Sequence, residues 1–112
     1  MKLITAVIQP TRLDEVSAAL AEAGFTGLTI TEVKGHGAQA GRTEYYRGTA
    51  YTVEFRTKIR IELLVGDGRL ADALAVITRA AKTGEIGDGK VWVTDVVETI
   101  RVRTGETGES AI

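Results

Sequence analysis

The sequence predicts an α+β domain built from two successive β-α-β units. Three observations predict it. A long segment ending at Val65 alternates apolar and charged residues with period two. Two other segments repeat apolar residues at helical spacing. Each helical segment is followed by glycine and then by β-branched runs.

The elements follow in order. Residues 2–9 (K-L-I-T-A-V-I-Q) are short, apolar and β-branched, and read as a strand largely buried on both faces. Pro10 ends it, and Thr11 is the expected helix cap. Asp14 and Glu15 suit the positive end of the helix dipole. Leu13, Val16, Leu20 and Ala23 share one helical face, and Gly24 is the expected stop. Residues 25–34 return to β chemistry. In the long strand, Val53, Phe55, Ile59, Ile61, Leu63 and Val65 point one way, with Thr57 the polar break. Glu54, Arg56, Lys58, Arg60 and Glu62 point the other way. Asp67 is the expected cap of a second helix with the stripe Leu70, Leu74, Ile77 and Ala81, ended by Gly84. A final β run spans 91–103, and the polar tail after it is expected to be mobile unless a partner orders it. Two right-handed crossovers of this kind give a ferredoxin-like sheet with both helices on one face. The bare face is then expected to be covered by oligomerisation.

A chain of 112 residues is one domain, spanning 1–112. A net charge of −1 offers no basic field for nucleic acid or an anionic membrane. The absence of cysteine excludes thiolate catalysis, disulfides and cysteine zinc sites. The opening apolar run is too short for a signal peptide, and no segment reaches the ~20 apolar residues of a membrane span. A cytoplasmic location is the expectation.

Residues 84–90 read G-E-I-G-D-G-K, close to the phosphate-binding pattern G-x-x-x-x-G-K-[ST]. Val91 follows Lys90, so the hydroxyl that would hold Mg²⁺ is missing. The loop also lies between a helix and a strand, the reverse of a P-loop. The match is therefore either chance, an ordinary glycine-rich turn, or a different architecture that sets glycines and a lysine around a phosphate. The insert from Gly35 to Tyr51 is too long for a plain connection. It holds Tyr45, Tyr46 and Tyr51, the three tyrosines of the chain, which suits docking onto a partner. Tyr45 and Tyr46 could equally cover the loop's own backbone.

Four stretches together carry a resemblance: T-E-Y-Y-R-G-T-A-Y (43–51), K-I-R-I-E (58–62), T-G-E-I-G-D-G-K-V-W-V (83–93) and I-R-V-R-T-G-E (100–106). The chain resembles the PII nitrogen-regulatory signal proteins from end to end. The resemblance implies a homotrimer that binds ATP or ADP between subunits, with 2-oxoglutarate and Mg²⁺ beside ATP. It implies a T-loop (about 36–54), a B-loop (about 82–90) and a C-terminal loop (about 102–112). The implied nucleotide set is Val7, Gly27, Thr29, Gly35, Gly37, Glu62, Leu64, Gly87, Asp88, Gly89, Lys90, Arg101 and Arg103. Gly87, Gly89 and Lys90 would come from one subunit, Arg101 and Arg103 from its neighbour. Two arginines at i, i+2 on a strand would project together. Gln39, Lys58 and Gly87 would serve 2-oxoglutarate, and Gln39 would ligate the metal through its amide oxygen. Tyr51 matches the nucleotidylated position, which implies a nucleotidyltransferase as partner. Arg47 matches a residue that plugs the pore of an ammonium transporter, and Tyr46 is a further docking residue. The other implied targets are enzymes of nitrogen metabolism. Docking on a transporter would bring the protein to the inner membrane face.

Departures accompany the match. Ala38 and Ala40 replace the usual arginine and lysine, Gln9 a common lysine, and Thr57 a common proline. Ala38 and Ala40 imply weaker nucleotide binding, or a divergent paralogue that binds adenine nucleotide with a weakened or lost 2-oxoglutarate response. An enzyme is disfavoured, because the chain has one histidine, His36, no cysteine and no carboxylate pair brought together by spacing. An RNA-binding module of the same element order needs exposed aromatics and a basic face, which are lacking. Trp92, inside a β run, reads as packing, and Arg60 as a solvated charge pair with its neighbours.

Overall fold

A computed structural model describes residues 1–36, 42–46, 49–53 and 55–112, with 42–46 and 49–53 described by their backbone pairing. Gly37, Ala38, Gln39, Ala40, Arg47 and the side chains of Tyr46 and Tyr51 lie outside the described residues. The elements are β1 (Lys2–Ile8), α1 (Leu13–Glu22), β2 (Thr29–Gly35), β3 (Arg42–Tyr46), β4 (Thr49–Val53), β5 (Arg56–Val65), α2 (Leu70–Ala81) and β6 (Gly89–Asp95). Four strands form one sheet in the order β2-β5-β1-β6, all neighbours antiparallel. Each β-α-β crossover therefore skips one strand, which is the ferredoxin-like α+β arrangement. β3 and β4 form a separate antiparallel hairpin within the insert.

The core sits between the sheet and the two helices. Ile4, Ala6 and Ile8 alternate along β1, and Ile59, Ile61, Leu63 and Val65 along β5. The register places Ile4 opposite Leu63, Ala6 opposite Ile61 and Ile8 opposite Ile59, so one face is continuously apolar. Val16 and Leu20 of α1 and Ala73, Val76, Ile77 and Ala81 of α2 close over it. Each fully buried Ile or Leu contributes about 1.5–3 kcal/mol. The other face carries Leu3, Thr5 and Val7 beside Arg60, Glu62, Leu64, Lys90 and Trp92, with Trp92 46% exposed.

The α1 stop at Gly24 holds. Gly24 has φ +92°. Its N–H donates to Ala21 O, and Phe25 N–H reaches back to Leu20 O at 2.8 Å. That is a complete Schellman ending, and it tucks Phe25 into the core. The helices are tied together where Arg12 Nε and Nη2 donate to Ala80 O at 3.0 and 2.7 Å, satisfying a carbonyl in the last turn of α2.

Several boundaries differ from expectation. Thr11 and Asp67 do not cap. Each helix is entered through a 3₁₀ turn, Pro10–Arg12 or Asp67–Arg69, whose N-caps are Gln9 and Gly66. Pro10 presets the turn's backbone, and the Asp67 carboxylate instead takes the amino group of Met1 at 2.9 Å. Phe25–Leu28 is the exit from the Schellman ending, so β2 starts only at Thr29. The long alternating strand is two strands, β4 and β5. Phe55 is 59% exposed and Thr57 is exposed; burial on the helix side begins at Ile59. Ile59 pairs with Ile8, the last residue of β1, so among the described residues the earlier part of β5 pairs with β2 alone. The final strand stops at Asp95 for the same reason: its partner Lys2 is the first residue of β1. α2 ends at Ala81, before Gly84, because Lys82 is already extended (ψ 129°). The tail is ordered by a bridge between Ile100 and Thr107 and a 3₁₀ turn at Gly108–Ala111.

Candidate functional site

The site residues divide between two ends of the sheet. At the end where β1 finishes, the turn from α2 to β6 is organised by Asp88. Its carboxylate accepts the N–H groups of Thr83 and Gly84, both at 2.9 Å, and the Thr83 hydroxyl. The Thr83 hydroxyl, then the two backbone bonds, hold the Asp88 carboxyl below its ordinary range. Gly84, Gly87 and Gly89 all have positive φ, at +90°, +100° and +97°. At Gly89 the need is also steric, since a Cβ would overlap the Val7 carbonyl oxygen.

Beneath this turn runs Lys58, buried at 8% exposure. Its Nζ donates to Gly87 O at 2.7 Å. Its stem passes β2 where Gly35 has no side chain; a Cβ there would stand 3.2 Å from Lys58 Cγ. Burial pushes the Lys58 ammonium below its usual pKa, and nearby Asp88 opposes that shift. Lys90 lies across the ladder from Val7 and is exposed. Val7, Gly35, Lys58, Gly87, Asp88, Gly89 and Lys90 thus come together. Glycine N–H groups, one buried cation and one exposed cation suit an anion.

The other end holds a cleft of about 610 Å³. Its wall includes Gly27, Thr29, Glu62 and Leu64, together with Leu3, Leu28 and Gly66. Thr29 lies across the ladder from Glu62, which sets a hydroxyl beside a carboxylate on this wall. Arg60 Nε lies 3.4 Å from Glu62 Oε1, the charge pair expected for Arg60.

The lining also includes residues outside the expected set, among them Phe25, Arg69, Ala111 and Ile112. Arg69 lies over the Phe25 ring at 4.2 Å and donates to Ala23 O at 2.7 Å. Ala111 and Ile112 of the tail also line the cleft. No sequence signal marks these; Phe25 and Arg69 meet because the end of α1 packs beside the entry to α2, and Ala111 and Ile112 arrive with the tail.

Arg101 and Arg103 are not on a strand. Arg101 opens a tight loop, with Arg101 N–H donating to Glu106 O at 2.9 Å and Gly105 N–H to Arg101 O at 2.7 Å. Its guanidinium reaches Glu106 Oε1 and Ile112 O, both at 3.2 Å. Arg103 is exposed in the turn that follows. Their expected projection from one strand face therefore does not occur. Ladder pairing ends at Asp95, so nothing fixes a two-residue repeat beyond it.

The two ends do not meet within one chain. Gly89 pairs with Ile8, whereas the cleft includes Leu3, five residues back along β1, or ~17 Å at strand spacing. His36 packs edge-on against Phe55 with ring centroids 6.0 Å apart, which fits a filling role at the base of the insert. Among the described residues no group of three or more His, Asp or Glu side chains could hold a metal. Also among them, no helix is long and apolar enough to cross a membrane.

Residues 1–106 match the family model described as nitrogen regulatory protein P-II. The chain is 52% identical to the nitrogen regulatory protein P-II of Mesorhizobium japonicum and 53% identical to nitrogen regulatory protein P-II 1 of Escherichia coli K12. Both matches run over 112 residues and the full length of each chain. The fold is similar to a crystal structure of Arabidopsis thaliana PII bound to citrate, with a TM-score of 0.82 and 35% identity over 99% of this chain and 91% of that one. These are regulators and not enzymes. The chain belongs to the P-II family of nitrogen regulatory proteins.

Proposed function

We propose that the protein is a trimeric nucleotide and 2-oxoglutarate sensor that regulates nitrogen assimilation through its T-loop. The observation that carries this is the glycine turn over Lys58. Gly89 has no room for a side chain, and a buried ammonium lies directly beneath Gly87. Such a turn can take phosphate oxygens on its N–H groups and on Lys90. Lys58 can release Gly87 O and pair with a ligand carboxylate instead. The solved Arabidopsis relative is a citrate complex, which supports carboxylate recognition in this fold.

The cleft suits the base. Glu62 can accept from an exocyclic amino group while Leu64 and the backbone at Gly27 and Thr29 enclose the ring. ATP or ADP would span from this cleft to the glycine turn of a neighbouring subunit. The separation of the two ends within one chain supports that arrangement. The face carrying Leu3, Val7 and Trp92 supplies apolar surface for trimer contacts. Gln39 would hold Mg²⁺ through its amide oxygen when ATP is present. Through Arg47 and Tyr46 the T-loop would dock on an ammonium transporter or a nitrogen-metabolism enzyme, and a nucleotidyltransferase would modify Tyr51. The protein would act in the cytoplasm, at the inner membrane face when bound to a transporter.

Ala38 and Ala40 favour a second reading, a paralogue that binds nucleotide with a weakened or lost 2-oxoglutarate response. Calorimetry separates the two. ATP-Mg²⁺ is titrated alone and with saturating 2-oxoglutarate, with ADP as the control. Synergy with ATP and none with ADP supports the sensor. Nucleotide binding indifferent to 2-oxoglutarate supports the paralogue and withdraws the roles of Gln39 and Lys58. Ala38→Arg is expected to tighten ATP by about ten- to a hundred-fold, the worth of one charge-assisted contact.

A further inference from the structure

The tail is fastened beside the cleft. Arg101 donates to the Glu106 carboxylate through one arm of its guanidinium and to Ile112 O through the other. The loop between them is closed by the Arg101–Glu106 and Gly105–Arg101 backbone bonds and by the Ile100–Thr107 bridge. The 3₁₀ turn that follows lays Ala111 and Ile112 along the cleft wall. It also presses Glu109 against Gly66, where a Cβ would strike the carboxylate.

We infer that Glu106 is an internal anion that occupies Arg101, fastens the tail beside the cleft and sets how tightly an anionic ligand binds there. The inference rests on the nucleotide reading, which assigns Arg101 to phosphates. A phosphate and the Glu106 carboxylate offer the same chemistry to the same guanidinium fork. One arm of Arg101 is on Glu106 and the other on Ile112 O, so a phosphate that takes both arms must displace Glu106. Part of the ligand's interaction is then spent on releasing the fastened loop. Affinity is lowered by the stability of the internal pair.

The test compares Glu106→Gln with the unmodified protein and with Glu22→Gln, a charge-matched change at the exposed end of α1. ATP-Mg²⁺ affinity is read by calorimetry, and amide exchange of residues 108–112 is read without ligand. Expected is a two- to five-fold tighter ATP affinity in Glu106→Gln alone, roughly what an exposed ion pair implies. Faster exchange of the tail in the same variant is also expected. Unchanged or weaker ATP binding in Glu106→Gln overturns the competition, as does equal tightening in Glu22→Gln. Unchanged exchange overturns the fastening. Failure of the unmodified protein to bind ATP removes the nucleotide reading and the competition with it. The exchange comparison still decides whether Glu106 holds the tail.

Discussion

The two ends of the sheet carry the two halves of the proposed site by different physical means. At the glycine turn, position is fixed by exclusion: Gly89 lies against the Val7 carbonyl, and Gly35 leaves the path that Lys58 fills. At the cleft, position is fixed by exposed contacts. Arg69 rests on Phe25 with half its side chain in solvent, and Arg101 pairs with Glu106 at the surface. Close packing has one solution and resists change. Surface ion pairs contribute about 0–1 kcal/mol and exchange partners readily. The difference teaches where rigidity and adaptability reside: the glycine turn is preformed, and the cleft wall can be remade.

The sharpest challenge to this contrast is Gly89→Ala. It combines an unfavourable φ of +97° with an overlap on Val7. A loss of at least ~3 kcal/mol is expected from strain and overpacking together. Gly84→Ala carries a similar φ with open space around it, and should cost only about 1–2 kcal/mol. Urea unfolding of both variants separates overlap from strain; equal losses would remove the exclusion argument.

Lys58→Met should leave stability within about 1 kcal/mol, because an apolar chain fills a site that disfavours charge. The 2-oxoglutarate response should vanish in the same variant by calorimetry. Both groups are depressed, so each makes stability rise with pH across its own window, but at neutral pH the Lys58 shift destabilises the fold and the Asp88 shift stabilises it. Lys58 is depressed below 10.5, so its charged form is penalised in the folded state at neutral pH. That penalty is relieved as pH rises from the folded pKa toward 10.5. Asp88 is depressed below 3.8, so its contribution is fully present above that value and is lost as pH falls through the lower folded pKa. Asp88→Asn should flatten the acid side of the stability profile, while Lys58→Met should flatten the alkaline side.

The smallest effect is expected at the cleft. Arg69→Leu should cost about 0.5–1 kcal/mol, the worth of an exposed cation–π contact. A loss as large as that of Gly89→Ala would erase the distinction between the two ends.

Periodicity alone revealed the sheet and helix faces. Ile61, Val16, Leu20 and Ile77 are buried as their spacing requires, whereas in β1, read as buried on both faces, Ile4, Ala6 and Ile8 are buried and Leu3 and Val7 only partly so. Gly24 ended its helix because a left-handed residue is a local requirement. The caps at Thr11 and Asp67 were misread, since each competed with a 3₁₀ entry and, for Asp67, with a distant amino group. Gly87, Gly89, Lys90 and Lys58 were found through a motif and a family pattern, whereas Phe25, Arg69, Ala111 and Ile112 carry no motif at all.

By itself, then, the sequence determined what is local: the apolar stripes, the element order, the glycine positions and the family. Only the tertiary structure decided where strands stop, since β5 loses helix-side burial and β6 ends where β1 no longer lies beside them. It alone decided that Arg101 turns back to Glu106 and Ile112, and that the glycine turn and the cleft lie at opposite ends of one sheet. The physical reason is the same in each case. A residue's propensity and spacing are its own, but an edge, a partner or a cleft exists only once distant segments have been packed together.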